Sequence, residues 1–235
     1  MSQLLHPDLP TAPVRCILSD CDGVIVDSEV IADAIMVEVL EDAFGVTGLG
    51  TQMSDMFGIR VIEIIRIMEG RVDRPQTDAR RAELQRRVDA RVAESAAPMP
   101  GTLATYRALG LPVAVVSNSA FHRLHRSVER AGMLALAGAH VYSAEDVGRP
   151  KPAPDAYLHA ARALGQAPGH CLVIEDSPTG VRAACAAGMR VLGFLGGSHI
   201  GDSHAPQLLA AGADGLFDDM AELPGLIAQL EGRAA

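Results

Sequence analysis

Short apolar runs that alternate with amphipathic helical runs constrain this 235-residue chain more than any other feature. From about Pro98 onward, strands are expected at 112–116, 140–143, 171–174, 190–194 and 215–217. Between them the helical runs 102–109, 122–131 and 179–187 each close on a glycine: Gly110, Gly132 and Gly188. Glycine fits the left-handed position just past a helix end. Repeated βα alternation implies a parallel sheet with helices on both faces. The apolar run 14–19 must join that sheet. The expected fold is therefore α/β, a Rossmann-like doubly wound parallel sheet.

The stretch 28–97 breaks the pattern. It has no convincing strand but three helical periodicities: Ile31, Ile35, Val39; then Val61, Ile64, Ile65, Met68; then Leu84, Val88, Val92. Thr77-Asp78 is a plausible N-cap for the third, and Pro98-Met99-Pro100-Gly101 punctuates the return to α/β. The expected division is an α/β core over 11–27 and 98–235, an inserted α-helical cap domain over 28–97, and an N-terminal tail over 1–10. The two ends of the chain are expected to be mobile.

A formal charge of −9 and only 3% aromatic residues, with no Trp, argue against a nucleic-acid partner. No apolar run approaches membrane-spanning length, and 1–13 lacks the basic and apolar regions of a signal peptide. Cys16, Cys21, Cys171 and Cys185 show no CxxC spacing, so neither a disulfide scaffold nor a zinc site is expected. A cytoplasmic protein, monomeric or a small homo-oligomer, fits these features.

The chemistry-bearing residues sit where the strands end. The run 14–18 delivers Asp20 and Asp22, one residue apart, to the carboxyl end of its strand, where open α/β sheets bind ligands. Two bare carboxylates so close repel unless a cation or a shared reaction uses them. Ser117-Asn118 follows the next strand, Lys151 lies in a loop stiffened by Pro150, Pro152 and Pro154, and Glu175-Asp176 ends another strand. Each segment alone reads better as a structural loop, a turn or a helix cap. Together they would meet at one sheet edge and offer hard oxygen ligands for Mg2+. The same edge would supply a lysine and a hydroxyl for a phosphoryl group, and a carboxylate able to act as a covalent nucleophile.

The ordered set DxDxV, Ser after an apolar strand, Lys in a KPxP loop and EDSxxG resembles the haloacid dehalogenase superfamily, specifically its β-phosphoglucomutase-like and sugar-phosphate phosphatase members with a small helical cap. The resemblance implies Asp20 as nucleophile and Asp22 as general acid/base. It implies Mg2+ held by Asp20, the Asp22 backbone carbonyl and Asp176, with Glu175 a ligand or a partner of one. Ser117 and Lys151, with backbone N–H groups around Cys21 and Asn118, would bind the phosphoryl group. The superfamily's true dehalogenases carry tyrosine where Asp22 stands, so dehalogenation is not expected.

Asp27-Ser28-Glu29-Val30 and Phe57-Gly58-Ile59-Arg60 resemble 6-phosphogluconate phosphatases, and Arg60 would reach a carboxylate or second anionic group of the substrate. A solvated arginine at a helix start is the equal alternative. Mutases carry a cap histidine where this chain has Ala32, and Val61 falls where their arginine belongs. The function expected is a Mg2+-dependent phosphatase of a small phosphorylated metabolite, a sugar phosphate or phosphosugar acid such as 6-phosphogluconate. The alternatives are a phosphosugar mutase of the β-phosphoglucomutase type and a catalytically silent ligand-binding protein of the same fold.

Overall fold

The computed structural model describes residues 3–4, 12–53, 56 and 59–232. Most of the expected tail, Phe57-Gly58 and the last three residues lie outside them. Nine strands are described: β1 (Gln3–Leu4), β2 (Cys16–Ser19), β3 (Val26–Asp27), β4 (Ala97–Pro98), β5 (Val113–Ser117), β6 (Val141–Ser143), β7 (Cys171–Glu175), β8 (Arg190–Phe194) and β9 (Gly215–Phe217). Seven form one sheet in the order β1-β9-β8-β7-β2-β5-β6. Six of these are parallel, and β1 pairs antiparallel with β9. The sheet places β2 between β5 and β7, so the chain turns outward in both directions from β2. The crevice beyond such a switch point is where ligands bind.

Both faces of the sheet are covered, which is why its strands read as nearly continuous apolar runs. Ile17, Val115 and Ile174 point into one core with Phe194, Leu223 and Ile227. Cys16, Leu18, Val116 and Val173 point into the other with Tyr157, Val181 and Leu208. Cys16 and Cys171 lie side by side in register on β2 and β7, with Sγ atoms 3.4 Å apart and both thiols free.

Between β3 and β4 the chain is helical: Glu29–Phe44, Gly50–Met53, Val61–Val72 and Asp78–Ser95. Ile35, Val39, Ile64, Ile65, Met68, Leu84, Val88 and Val92 all fall in one buried cluster, with Ile31 and Val61 packed at its edge. Thr77 caps the last of these helices by accepting from the Arg80 N–H at 3.2 Å. The 16- and 18-residue helices are long enough to present several turns to this shared core.

The sequence reading omitted the ribbon at the base of the insert. β3 and β4 pair antiparallel, Val26 with Pro98 and Asp27 with Ala97, so the two crossings into the insert run together. Strands of two residues carry no periodicity to detect. Within the stretch read as a tail, Gln3 and Leu4 pair with Leu216 and Gly215. No helix among the described residues is long and apolar enough to cross a membrane.

Candidate active site

The carboxyl ends of β2, β5 and β7 are neighbours, and the residues they carry converge. Asp20 follows β2 directly, its N–H bound to the Ile174 carbonyl at 2.9 Å. Lys151 reaches over from its proline-stiffened loop. Its Nζ donates to Asp20 Oδ1 at 2.6 Å, Glu175 Oε1 at 2.7 Å and the Val116 carbonyl at 2.8 Å. All three ammonium protons are thus directed, and the Tyr157 ring lies 4.7 Å beneath the charge. Lys151, Asp20, Glu175 and Asp176 are all buried. Buried charges persist only when paired and hydrogen-bonded.

That burial sets the protonation tendencies. Desolvation pushes Asp20 well above the ordinary carboxylate value; Lys151 pulls it down, while Glu175, Asp176 and Asp22 push it up. Asp176 is likewise raised by desolvation and by Glu175 and Asp22. Lys151 is raised well above its usual value, because Asp20 and Glu175 outweigh its own desolvation.

Asp22 lives in a different environment. Desolvation would raise it, but Arg123 and the hydrogen bonds of Ser28 and Ser119 prevail and hold it below the usual carboxylate value. Its Oδ1 accepts from Arg123 at 2.6 Å and from Ser28 at 2.6 Å. Its Oδ2 accepts from Ser119 at 2.7 Å and from Ser117 at 3.4 Å. Glu29 lines the same cavity, and desolvation with the charges of Asp22 and Asp176 pushes its carboxyl up to about 8.

A carboxylate oxygen from each of Asp20, Glu175 and Asp176 lies within 4.8 Å of the other two. An all-oxygen, multiply anionic donor set of this kind suits Mg2+. Gly23 is cut to fit beside it: with φ +77°, a Cβ there would sit 1.7 Å from Asp176 Oδ2. Both Glu175 oxygens are already occupied, Oε1 by Lys151 and Tyr157 and Oε2 by the Ser177 N–H and hydroxyl. Asp20 and Asp176 are therefore the freer of the three carboxylates to take a cation.

The family of haloacid dehalogenase-like hydrolases matches residues 14–188. The chain belongs to that family. A 6-phosphogluconate phosphatase of Escherichia coli is 31% identical over 192 residues, covering 79% of this chain and 85% of its own. The E. coli hexitol phosphatase B is 31% identical over 182 residues, covering 73% and 79%. A family hydrolase from Deinococcus radiodurans, solved with bound phosphate and sodium, superposes with TM-score 0.73 at 35% identity over 93% of this chain and 97% of its own. This haloacid dehalogenase-like chain is thus a hydrolase with phosphatases among its relatives.

The structure brings Asp20, Asp22, Ser117, Lys151, Glu175 and Asp176 to one edge. Asn118 is nearby, but its side chain braces the lysine loop: Oδ1 accepts from the Lys151 N–H at 2.9 Å and Nδ2 donates to the Lys151 carbonyl at 3.2 Å. Arg60 stands apart, at the N-terminus of helix Val61–Val72 on the cavity wall. Its side chain is 39% exposed and paired with Glu63 at 2.5 Å. Sequence reasoning missed Arg123, Ser119, Ser28 and Tyr157. It also missed His199, whose Nε2 lies 3.2 Å from Asp176 Oδ2.

Proposed function

We propose that this hydrolase is a Mg2+-dependent phosphatase of small phosphorylated sugars or sugar acids that works through an aspartyl phosphate on Asp20. One observation carries the reading. The Asp20 carboxylate is pinned through Oδ1 by Lys151, its Oδ2 accepts no hydrogen bond among the described residues, and it lines a cavity of about 540 Å³. That volume suits a small metabolite. The insert roofs the cavity through Arg60, Ile64, Val88 and Asp89, while the core supplies Asp20, Ser117 and Lys151. In this reading the helical insert is a cap over the core.

Asp20 Oδ2 attacks phosphorus; the new O–P bond forms as the ester O–P bond breaks, and the leaving oxygen takes a proton from Asp22. Asp22, now a carboxylate, takes a proton from water, whose oxygen attacks phosphorus and frees Asp20. With Arg123 and three serines on its oxygens, Asp22 stands in the base form. The acid form requires that substrate draw Arg123 away. Lys151 offsets the charge on Asp20 and on the phosphoryl oxygens, and Ser117 offers a hydroxyl donor. Asp20 and Asp176 would hold Mg2+, which would supply positive charge to offset that of the transferring phosphoryl group.

The names of the E. coli relatives support a polyhydroxylated substrate. A phosphate-release screen with Mg2+ over hexose phosphates, hexitol phosphates and 6-phosphogluconate tests the reading. Turnover of at least one of these classes is expected. A flat screen with folded, Mg2+-loaded protein contradicts it and favours the silent binding protein.

A further inference from the structure

Helix Asp78–Ser95 of the insert packs against helix Phe121–Arg130 of the core, and one charged residue from each is buried in that seam. Asp89 is 2% exposed and Arg123 is 6% exposed, yet the two do not satisfy each other. The closest approach, Arg123 NH1 to Asp89 Oδ1, is 3.9 Å. That is an ion-pair distance but too long for a hydrogen bond. Asp89 Oδ2 and Arg123 Nε are buried without hydrogen-bond partners among the described residues. His122 lies 3.5 Å from that Oδ2 on the solvent side. Arg123 NH2 is engaged with Asp22 at 2.6 Å.

Buried polar groups left unpaired cost stability and mark places where a partner is missing. Both residues, Asp89 and Arg123, line the same cavity as Asp20 and Asp22. A single group seated between Arg123 NH1 and Asp89 Oδ1, 3.9 Å apart, would have to donate to a carboxylate and accept from a guanidinium at once. A second carboxylate or phosphate would satisfy Arg123 but be repelled by Asp89. A hydroxyl does both. Because Arg123 also touches Asp22, this hydroxyl lies close to the leaving oxygen of the ester.

We infer that Asp89 and Arg123 form a specificity pair that reads a hydroxyl on the carbon next to the phosphoester carbon. The inference rests on the phosphatase reading and narrows its substrate class to phosphomonoesters of polyols. Asp89 accepts the hydroxyl proton and Arg123 donates to its oxygen, bridging insert and core through the substrate. This assigns recognition to a buried pair beside the reacting group, not to the exposed Arg60. It also gives Arg123 a reason to loosen its hold on Asp22 when substrate enters.

The test is a two-by-two comparison of wild type and Asp89→Ala on sorbitol 6-phosphate and 5-deoxysorbitol 6-phosphate, with Mg2+ and phosphate release as readout. Wild type should prefer the hydroxylated ester by roughly 10- to 100-fold in kcat/KM, the usual worth of a hydrogen bond to a charged group. In Asp89→Ala that preference should fall below about threefold. Asp89→Asn, which keeps the shape, should lower it in the same direction and guards against a folding defect. A wild type indifferent to the hydroxyl overturns the inference. So does an Asp89→Ala variant that loses rate equally on both esters, or turnover of p-nitrophenyl phosphate with neither sorbitol ester hydrolysed. In these three cases the phosphatase reading survives. Absence of phosphate release from these esters and also from the hexose phosphates and 6-phosphogluconate of the wider screen refutes that reading and the inference with it.

Discussion

Replacing Lys151 by Met should destabilise the protein far more than a surface lysine would. The methionine fills the aliphatic path but removes an ammonium that donates to Asp20, Glu175 and the Val116 carbonyl at 2.6–2.8 Å. Its side chain is 3% exposed, and Glu175 is fully enclosed at 0%. Water therefore cannot replace the lost donors, and two buried carboxylates face each other without a counter-charge. Breaking a buried pair from one side costs about 3–5 kcal/mol. For a chain of this length each kcal/mol moves Tm by about 2–4 °C, so a fall of roughly 6–20 °C is expected. Thermal melting and urea midpoints in the presence of a chelator measure this without interference from a bound cation. Adding Glu175→Gln removes one of the two facing charges, so the double variant should recover at least about 1 kcal/mol relative to additivity. A loss under about 1 kcal/mol for Lys151→Met, or strict additivity in the double variant, would refute the reasoning.

Three further outcomes follow from the site. Asp22→Asn should lower phosphate release by about 10²–10⁴-fold, the usual range for lost proton transfer, and a rate near wild type removes Asp22 from the chemistry. Gly23→Ala should displace Asp176, because the added Cβ would lie 1.7 Å from its Oδ2 at φ +77°; the thermal stabilisation by Mg2+ should disappear, and an unchanged Mg2+ response counts against the assigned ligand. Stability should depend on pH and metal together. Asp20 and Asp176 are raised in the folded protein, so their contribution is complete below the unfolded carboxylate range near pH 4 and is lost as pH rises through their folded values. The Mg2+-induced rise in Tm should therefore be larger near pH 8 than near pH 5.5. Equal rises at both would contradict it.

The sheet was legible because its strands announce themselves: β8 and β9 match their expected ranges residue for residue. β2, β5, β6 and β7 moved by one or two residues at their ends, and β1 was not anticipated. The helices at Phe121–Arg130 and Pro178–Ala186 each begin one residue earlier than the apolar pattern suggests. Asp20, Asp22, Ser117, Lys151, Glu175 and Asp176 could be found because strand ends in a parallel sheet share one edge. Arg123 and Asp89 were harder. In isolation each looks like a charge on a solvated helix. A signal was present in the 3.6-residue period, since Arg123 adjoins Leu124 and precedes Ser127 and Val128 on the buried stripe. Asp89 likewise adjoins Val88, with Val92 and Ala93 one turn on. What no period could show is that the two stripes face each other across the seam between insert and core.

The most direct measurement of the central claim is to trap the covalent intermediate. Enzyme and Mg2+ are mixed with a turned-over ester carrying labelled phosphorus, quenched in acid within one turnover, and digested, and the label is traced by peptide. The account predicts label on the peptide that contains Asp20 in wild type and in Asp22→Asn, and none in Asp20→Asn. Rapid phosphate release with no label on protein at any quench time, or undiminished turnover by Asp20→Asn, would contradict it.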